Sequence, residues 1–223
     1  MRALRSRALG FAVRLRDCEG GLAFIEFAMS LPVLVALGLC GLETANYAMA
    51  HLRVANIAML TADNASRVRD AIDEANIVEI MTGAKMAADS IDFRNNGRII
   101  LSSMEPNTAG SGGASTGQWF RWQRCDGRRN ASSIYGNQGK GQSDATLQNV
   151  GTGNNRIAAS SGTAVMVVEV TYNYQPIVSE AILGPRTIRY EAAFNVRQRV
   201  NQALTNTNNL TTAQIRTCNH FQS

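Results

Sequence analysis

A run of 21 residues carrying a single charge constrains this chain more than any other feature: residues 22–42 read LAFIEFAMSLPVLVALGLCGL. A helix of that length, at ~1.5 Å per residue, covers the ~30 Å hydrocarbon core of a bilayer. The segment therefore predicts a membrane-spanning helix. Arg2, Arg5, Arg7, Arg14 and Arg16 precede it. Positive charge before a first span holds that end in the cytoplasm, which puts everything beyond about residue 42 outside. Two other readings compete. A cleaved secretory signal peptide needs a small-x-small cleavage site, and Ala48-Met49-Ala50 supplies one, but its apolar region is shorter than this run. The third is a buried core helix, and an apolar stretch of this length behind an arginine-rich leader argues against it.

Composition narrows the class further. The chain is 45% hydrophobic and 17% charged, with no Gly-x-y period, which excludes collagen, rods, wholly disordered chains and, at 223 residues, a large multidomain enzyme. The formal net charge is +5. Without the first 21 residues the basic count falls from 22 to 17 and the acidic count from 17 to 15, leaving +2. The basic balance belongs in part to the leader, and no nucleic-acid partner is expected from it.

Glu26 is the fifth residue of the apolar run. An acidic side chain inside a span costs on the order of a few kcal/mol, less near an interface, and by default marks a function with a partner to be named. No Lys or Arg lies between Arg16 and Arg53. Glu26 must then be neutral, reach toward the interface, or meet a positive group from another molecule. The bland alternative is a glutamate snorkelling to the interface with no role, since it lies only about 7 Å along a helix from Leu22. Pro32 removes one backbone donor within the run and can kink it.

A leader of arginines, then Glu19-Gly20-Gly21, then an apolar run with glutamate at its fifth position and Ser30-Leu31-Pro32 after it, resembles the processing site of bacterial type IV pilin-like proteins. The text GLAFIEFAMSLPVLVALGL, followed by Gly41-Leu42-Glu43-Thr44-Ala45-Asn46-Tyr47, resembles the TadE-like family of the Tad (tight adherence, Flp pilus) system over about residues 16–65. The resemblance implies a minor pseudopilin cut by a membrane-embedded prepilin peptidase after Gly21, with Leu22 as the new N-terminus. Leu22 stands where a small residue is common among relatives. The resemblance also implies that Glu26 neutralises the free N-terminal amine of a neighbouring subunit during assembly. A carboxylate and an ammonium in low dielectric each stabilise the other. The partners it implies are the peptidase, other Tad pilins or pseudopilins, the inner-membrane assembly platform and membrane lipid.

Beyond the span, Ala62, Ala65, Val68, Ile72 and Ala75 recur at spacings of three and four among Asp63, Arg67, Arg69, Asp70, Asp73 and Glu74, which predicts an amphipathic helix whose apolar stripe is a packing face. Gly83 offers a break before 84–88. From about Gly97 the pattern turns to strands, over residues 98–104 and the aromatic run 118–124. Residues 136–162 are dominated by Gly, Asn, Ser and Gln and read as a mobile surface loop. In 163–174, Ala164, Met166, Val168, Val170, Tyr172 and Tyr174 share one face opposite Glu169, Thr171 and Asn173. In 187–197, Ile188, Tyr190, Ala192, Phe194 and Val196 alternate with polar residues. Such alternation predicts an antiparallel sheet with one buried and one wet face. The expected fold is α+β and, by the resemblance, pilin-like: a long N-terminal helix packed on a small antiparallel sheet. Its divisions are a basic leader (1–21), a span (22–42), an amphipathic helical stem (43–92) and a β-rich extracytoplasmic domain (93–223).

With that topology Cys18 is cytoplasmic and Cys40 lies in the membrane, leaving Cys125 and Cys218 in an oxidising space where a disulfide is permitted. Two free thiols are the alternative. Such a bond would tie a floppy tail, residues 205–223, to the sheet. Neither His51 nor His220 has a cysteine or carboxylate at metal-ligand spacing, and no Gly-x-Ser-x-Gly elbow occurs. Residues 136–141, GNQGKG, lack the spacer and the Ser or Thr of a phosphate loop. No enzyme activity, metal or cofactor is expected. Trp119, Phe120, Trp122 and Tyr135 interleave with Arg121, Arg124, Arg128 and Arg129, a mixture that could stack on bases, sugars or aromatic partners. Strand alternation makes the cluster half core and half solvated, with Phe120 and Trp122 on one face and Trp119 and Arg121 on the other. Trp119, Arg121 and Trp122 are the candidates for contact with other pilus components. The second functional reading is an unprocessed, membrane-anchored periplasmic binding module or adhesin.

Overall fold

The first element, α1, is a helix over Glu19–Arg67, 49 residues long. The structure, a computed structural model, describes residues 19–107, 117–151, 153–178, 180, 184–219 and 221. The leader through Cys18, and His220, lie outside the described residues. The chain forms two compact units, Met1–Asn46 and Tyr47–Ser223. In the first, the side chains of residues 21–42 are all exposed. Pro32 lies inside the helix. Ser30 Oγ donates to the Phe27 carbonyl at 3.1 Å and Thr44 Oγ1 to that of Cys40 at 2.8 Å, local bonds that satisfy the hydroxyls within the helix.

The second unit begins on the same helix. Ala50, Val54, Ile57, Ala58, Ala62 and Ala65 form a buried stripe at helical spacing. This stripe shares a core with a sheet. Four antiparallel strands supply that sheet, in the order β3-β2-β4-β5: β2 is Gly97–Asn107, β3 Gly117–Asp126, β4 Val165–Asn173 and β5 Thr187–Asn195. Ile99, Leu101, Trp122, Met166, Val168, Val170, Tyr172 and Ile188 share one core with the α1 stripe.

The helical pattern expected through Ala75 stops earlier. α1 ends at Arg67, and β1, Asp70–Asp73, pairs in parallel with β6, Arg199–Thr205. Arg199 is the reason: its guanidinium donates to the carbonyls of Ala65 and, at 3.4 Å, Val68, supplying the C-terminal partners that a continued helix would otherwise provide. Asp70 turns the chain at a φ of 58°. Ala62, Ala65 and Ile72 are nevertheless all buried, so the apolar pattern was sound while the single helix was not. α2 then runs over Glu74–Ala87, passing through Gly83 without a break. A 3-10 turn at Asp89–Ile91 and a short α3, Phe93–Asn96, lead into β2.

The sheet has no wet face at its centre. Met104, Phe120, Val165 and Val167 form a second core with Leu147, Val150 and Ala159. Residues 136–162 cover that face instead of lying free. Lys140 O accepts from Phe120 N at 3.0 Å, Leu147 O from Gln118 N at 2.6 Å, and Val150 bridges Ile157. On β5, an edge strand, Tyr190 is 39% exposed while Ile188 is buried. The described residues just beyond Thr205 are also tied down, because Asp73 draws Thr207 in.

Asp73 caps α2, accepting from Ala75 N at 3.0 Å in a capping box completed by Asn76. It also accepts from Thr205 Oγ1 at 3.0 Å, Thr207 N at 2.7 Å and Thr207 Oγ1 at 2.8 Å. Burial pushes its pKa up, but these hydrogen bonds outweigh that and hold it below the ordinary carboxylate value. A carboxylate depressed on folding contributes stability above its unfolded pKa, and that stability is lost as pH falls through the folded value. Asp73→Ala is expected to lower unfolding free energy by about 1–3 kcal/mol at pH 7. In urea titrations its deficit relative to the unmodified protein should shrink as pH falls below about 4.

Candidate functional site

The processing residues and Glu26 occupy the first unit. Gly21, Leu22 and Glu26 are helical and exposed. Leu22 is 61% exposed and Phe24 72%. The segment is long and apolar enough to cross a membrane, with a mean hydropathy of 2.1 and none of it buried inside the protein. None of the ion pairs among the described residues includes Glu26. A carboxylate thus stands on an apolar helix one turn past Leu22, with no ion-pair partner among the described residues.

In the second unit the expected disulfide is present. Cys125, at the end of β3, bonds to Cys218 across a sequence separation of 93, with the Cα atoms 4.7 Å apart. Cys40 is a free, exposed thiol. The bond sits in a polar setting that sequence reading did not find. Arg98 on β2 is buried and donates to Gly127 O at 2.9 Å and Cys218 O at 2.6 Å, with the Phe221 ring 4.6 Å from its guanidinium carbon. Burial pushes the Arg98 pKa down, opposed by the charge of Asp126. Asp126 is itself buried, with Lys85 Nζ at 3.1 Å and Arg216 Nε at 3.5 Å. Cys125 N also donates to Arg216 O at 2.8 Å, so the tail covers the edge of β3. Replacing both Cys125 and Cys218 by Ser is expected to cost about 2–4 kcal/mol in denaturant unfolding. Hydrogen exchange should locate the loss of protection in residues 206–219.

The aromatic and arginine cluster is divided differently from the strand expectation. Ser103 pairs with Trp122 but Met104 pairs with Phe120, a bulge that leaves Arg121 as the extra residue. Phe120 and Trp122 therefore enter opposite cores. Trp122 is 3% exposed and donates through Nε1 to Gln202 O at 3.1 Å, so it is a core residue with no surface for a partner. Trp119 and Arg121 are half-buried, and Arg121 pairs with Glu105 at 3.1 Å. Arg124 Nε reaches both oxygens of buried Glu74 at 3.0 Å. Arg128 donates to Asn95 Oδ1 and Arg129 to Thr187 Oγ1, each at 3.1 Å. Tyr135 donates to Glu191 at 2.5 Å and accepts from Gly151 N at 2.7 Å. Burial, then that carboxylate, push its pKa up to about 12. Guanidiniums engaged in this way are fastenings of the fold more than a stacking platform. Trp122→Ala is expected to cost about 3–5 kcal/mol in thermal or denaturant unfolding, and Trp119→Ala under about 2 kcal/mol.

On β4, Glu169 accepts from Ser133 Oγ and, at 2.8 Å, from Ile134 N. Burial raises its pKa. A cleft of about 480 Å³ between β3, residues 131–138 and the tail is lined by Gln123, Arg124, Ser133, Asn137 and Thr217. His51 is the one histidine among the described residues, and its ring meets Tyr47 edge-on at 4.6 Å. Among the described residues no group of three His, Cys, Asp or Glu is placed to hold a metal. Glu74, Arg98, Asp126, Glu169 and Arg199 were not singled out from sequence. Their only signal was a charge set inside or beside an otherwise apolar strand or helix.

No family model, curated protein or solved structure matches the chain.

Proposed function

We propose that the chain is a non-enzymatic minor pseudopilin of the Tad (tight adherence) system, supporting Flp pilus biogenesis and through it surface adhesion and biofilm formation. The observation that carries this reading is the placement of Glu26 as the fifth residue after Gly21, on a helix whose apolar side chains are exposed throughout residues 22–42. In this reading prepilin peptidase cuts after Gly21. The helix sits in the bacterial inner membrane with its N-terminal end toward the cytoplasm. The disulfide-bonded α+β unit, pilin-like in plan, lies in the periplasm or on the pilus. Cleavage creates a cation for Glu26: the new Leu22 amine of a neighbouring subunit. In low dielectric either charge alone is strongly disfavoured, so pairing them guides insertion into the assembly. Other Tad pilins or pseudopilins and the inner-membrane assembly platform are its partners.

The test is the N-terminal sequence of the protein isolated from its own cells, with a Glu26→Ala variant beside it. Leu22 is the expected terminus, and the variant is expected to be cleaved normally yet to leave cells without pili. An intact arginine leader would sink the pseudopilin mechanism and favour a simple anchored binding module. A terminus at His51 would mean an exported soluble protein.

A further inference from the structure

The cleft between β3, residues 131–138 and the tail lies wholly in the second unit and holds about 480 Å³, within the range of about 300–1,000 Å³ found for small-molecule sites. It opens where main-chain cover of the β3 edge gives way. Main-chain groups of residues 139–147 meet Gln118 and Phe120, and Arg216 O meets Cys125 N. Between them Gln123 N is met by a side chain instead, donating to Gln138 Oε1 at 3.2 Å. One wall of the cleft, Thr217 to Asn219, is held in place by the Cys125–Cys218 disulfide.

The cleft presents neutral hydrogen-bonding groups in fixed orientations. Among its described lining residues Arg124 alone carries a charge, and that charge is engaged: Nε donates to both oxygens of Glu74 at 3.0 Å. Glu169 is taken up by Ser133 Oγ and Ile134 N, which donate to it. Gln138 Oε1 accepts from Gln123 N and from Arg124 Nη1, each at 3.2 Å. Both of these partners can only donate, so the amide has one orientation, and its Nε2 donors have no partner among the described residues. Gln123 shows the converse arrangement. It is 4% exposed, and its Nε2 donates to Ser102 Oγ at 3.0 Å and to Gly136 O at 3.2 Å. A carbonyl can only accept, so the amide orientation is again fixed and Oε1 is the end with no partner among the described residues. An acceptor left so on a buried side chain calls for a donor from outside the chain. Ser132 Oγ, the Asn137 amide and Thr217 Oγ1 line the same cleft with no side-chain hydrogen bond among the described residues.

We propose that this cleft binds a neutral saccharide of one or two rings, with Gln123 Oε1 accepting from one sugar hydroxyl, Gln138 Nε2 donating to a neighbouring one, and Asn137, Ser132 and Thr217 taking further hydroxyls. A hydroxyl both donates and accepts, so an acceptor and a donor that cannot exchange roles are matched by adjacent hydroxyls. A charged ligand would lose its hydration in a cleft with no free counter-charge, which costs more than desolvating a neutral one. Ile100, Ala131 and the disulfide form the apolar parts of the lining, against which C–H groups of a sugar ring can lie. With no aromatic side chain among the described lining residues to stack on, the dissociation constant is expected at about 1 mM. The inference concerns the second unit alone and does not rest on cleavage at Gly21 or on the pseudopilin reading.

The test is saturation-transfer NMR on the full chain in phospholipid nanodiscs, with glucose, N-acetylglucosamine, maltose and cellobiose as probes and empty nanodiscs as the blank. At least one neutral sugar is expected to bind in the millimolar range, and glucosamine and glucuronate, which carry a charge, about tenfold more weakly. Gln138→Glu keeps the oxygen that Gln123 N and Arg124 use but loses the donors, and is expected to weaken binding about tenfold or more. Asn137→Ala and Thr217→Val remove no side-chain hydrogen bond among the described residues and are each expected to weaken it about fivefold. Unchanged near-ultraviolet circular dichroism is the check that each variant is folded. Absence of binding by every neutral probe overturns the proposal, as do charged sugars that bind as tightly as neutral ones and affinity that survives all three substitutions. Retention on the immobilised polymer of the sugar that binds makes the ligand a glycan, and binding of the free sugar without such retention makes it a soluble saccharide. An intact arginine leader in cells is a different failure, which sinks the pseudopilin reading and leaves the binding result standing.

Discussion

The core that the alanine-rich stripe of α1 shares with β2 and β4 is the constraint on which the rest of the second unit leans. Ala58, Ala62 and Ala65 are fully buried, and the larger Val54 and Ile57 share their core with Val168 and Val170. Other elements complete that core. α2 closes one side through Ile77, Met81 and Ala84, and Trp122 and Ile72 add to the same core. A sheet whose central strands are apolar on both faces then needs a second cover. Residues 136–162 provide it with Leu147, Val150 and Ala159, although the segment is poor in apolar residues. Few contacts suffice because the cover is held by main-chain bonds to the edge of β3.

The polar groups inside the unit mark the places where the chain ends its regular elements under cover. Arg199 meets the last carbonyls of α1, Asp73 the first amides of α2, and Arg98 the carbonyls beside the disulfide. Each buried charge has a counter-charge or several hydrogen bonds. Asp126 has Lys85 and Arg216, and Glu74 has Arg124. Removing one partner would leave the other desolvated, which costs more than the pair itself contributes. The tail is fixed by three such devices: pairing of β6 with β1, the Asp73 cap and the disulfide. In the first unit the side chains of residues 22–42 are exposed, long and apolar enough to cross a membrane.

Much of this was open to a reader of the sequence. The apolar run, its lone glutamate, four strand segments, the burial of Ala62, Ala65 and Ile72, and the eligibility of Cys125 and Cys218 follow from length, period and compartment, which are properties of neighbouring residues. So the α+β class and the long apolar helix at the N-terminal end were legible from the sequence. What tertiary structure alone decided depends on residues far apart in the chain. The helix stops at Arg67 because Arg199, more than a hundred residues later in sequence, takes its carbonyls. Residues 70–73 are a strand only because 199–205 pair with them. One bulge at Arg121 reverses the faces of every β3 residue before it, sending Phe120 and Trp122 to opposite cores and removing Trp122 from the surface. Side-chain alternation in a strand has a period of two, so a single inserted residue inverts it, and no local pattern announces where the insertion falls.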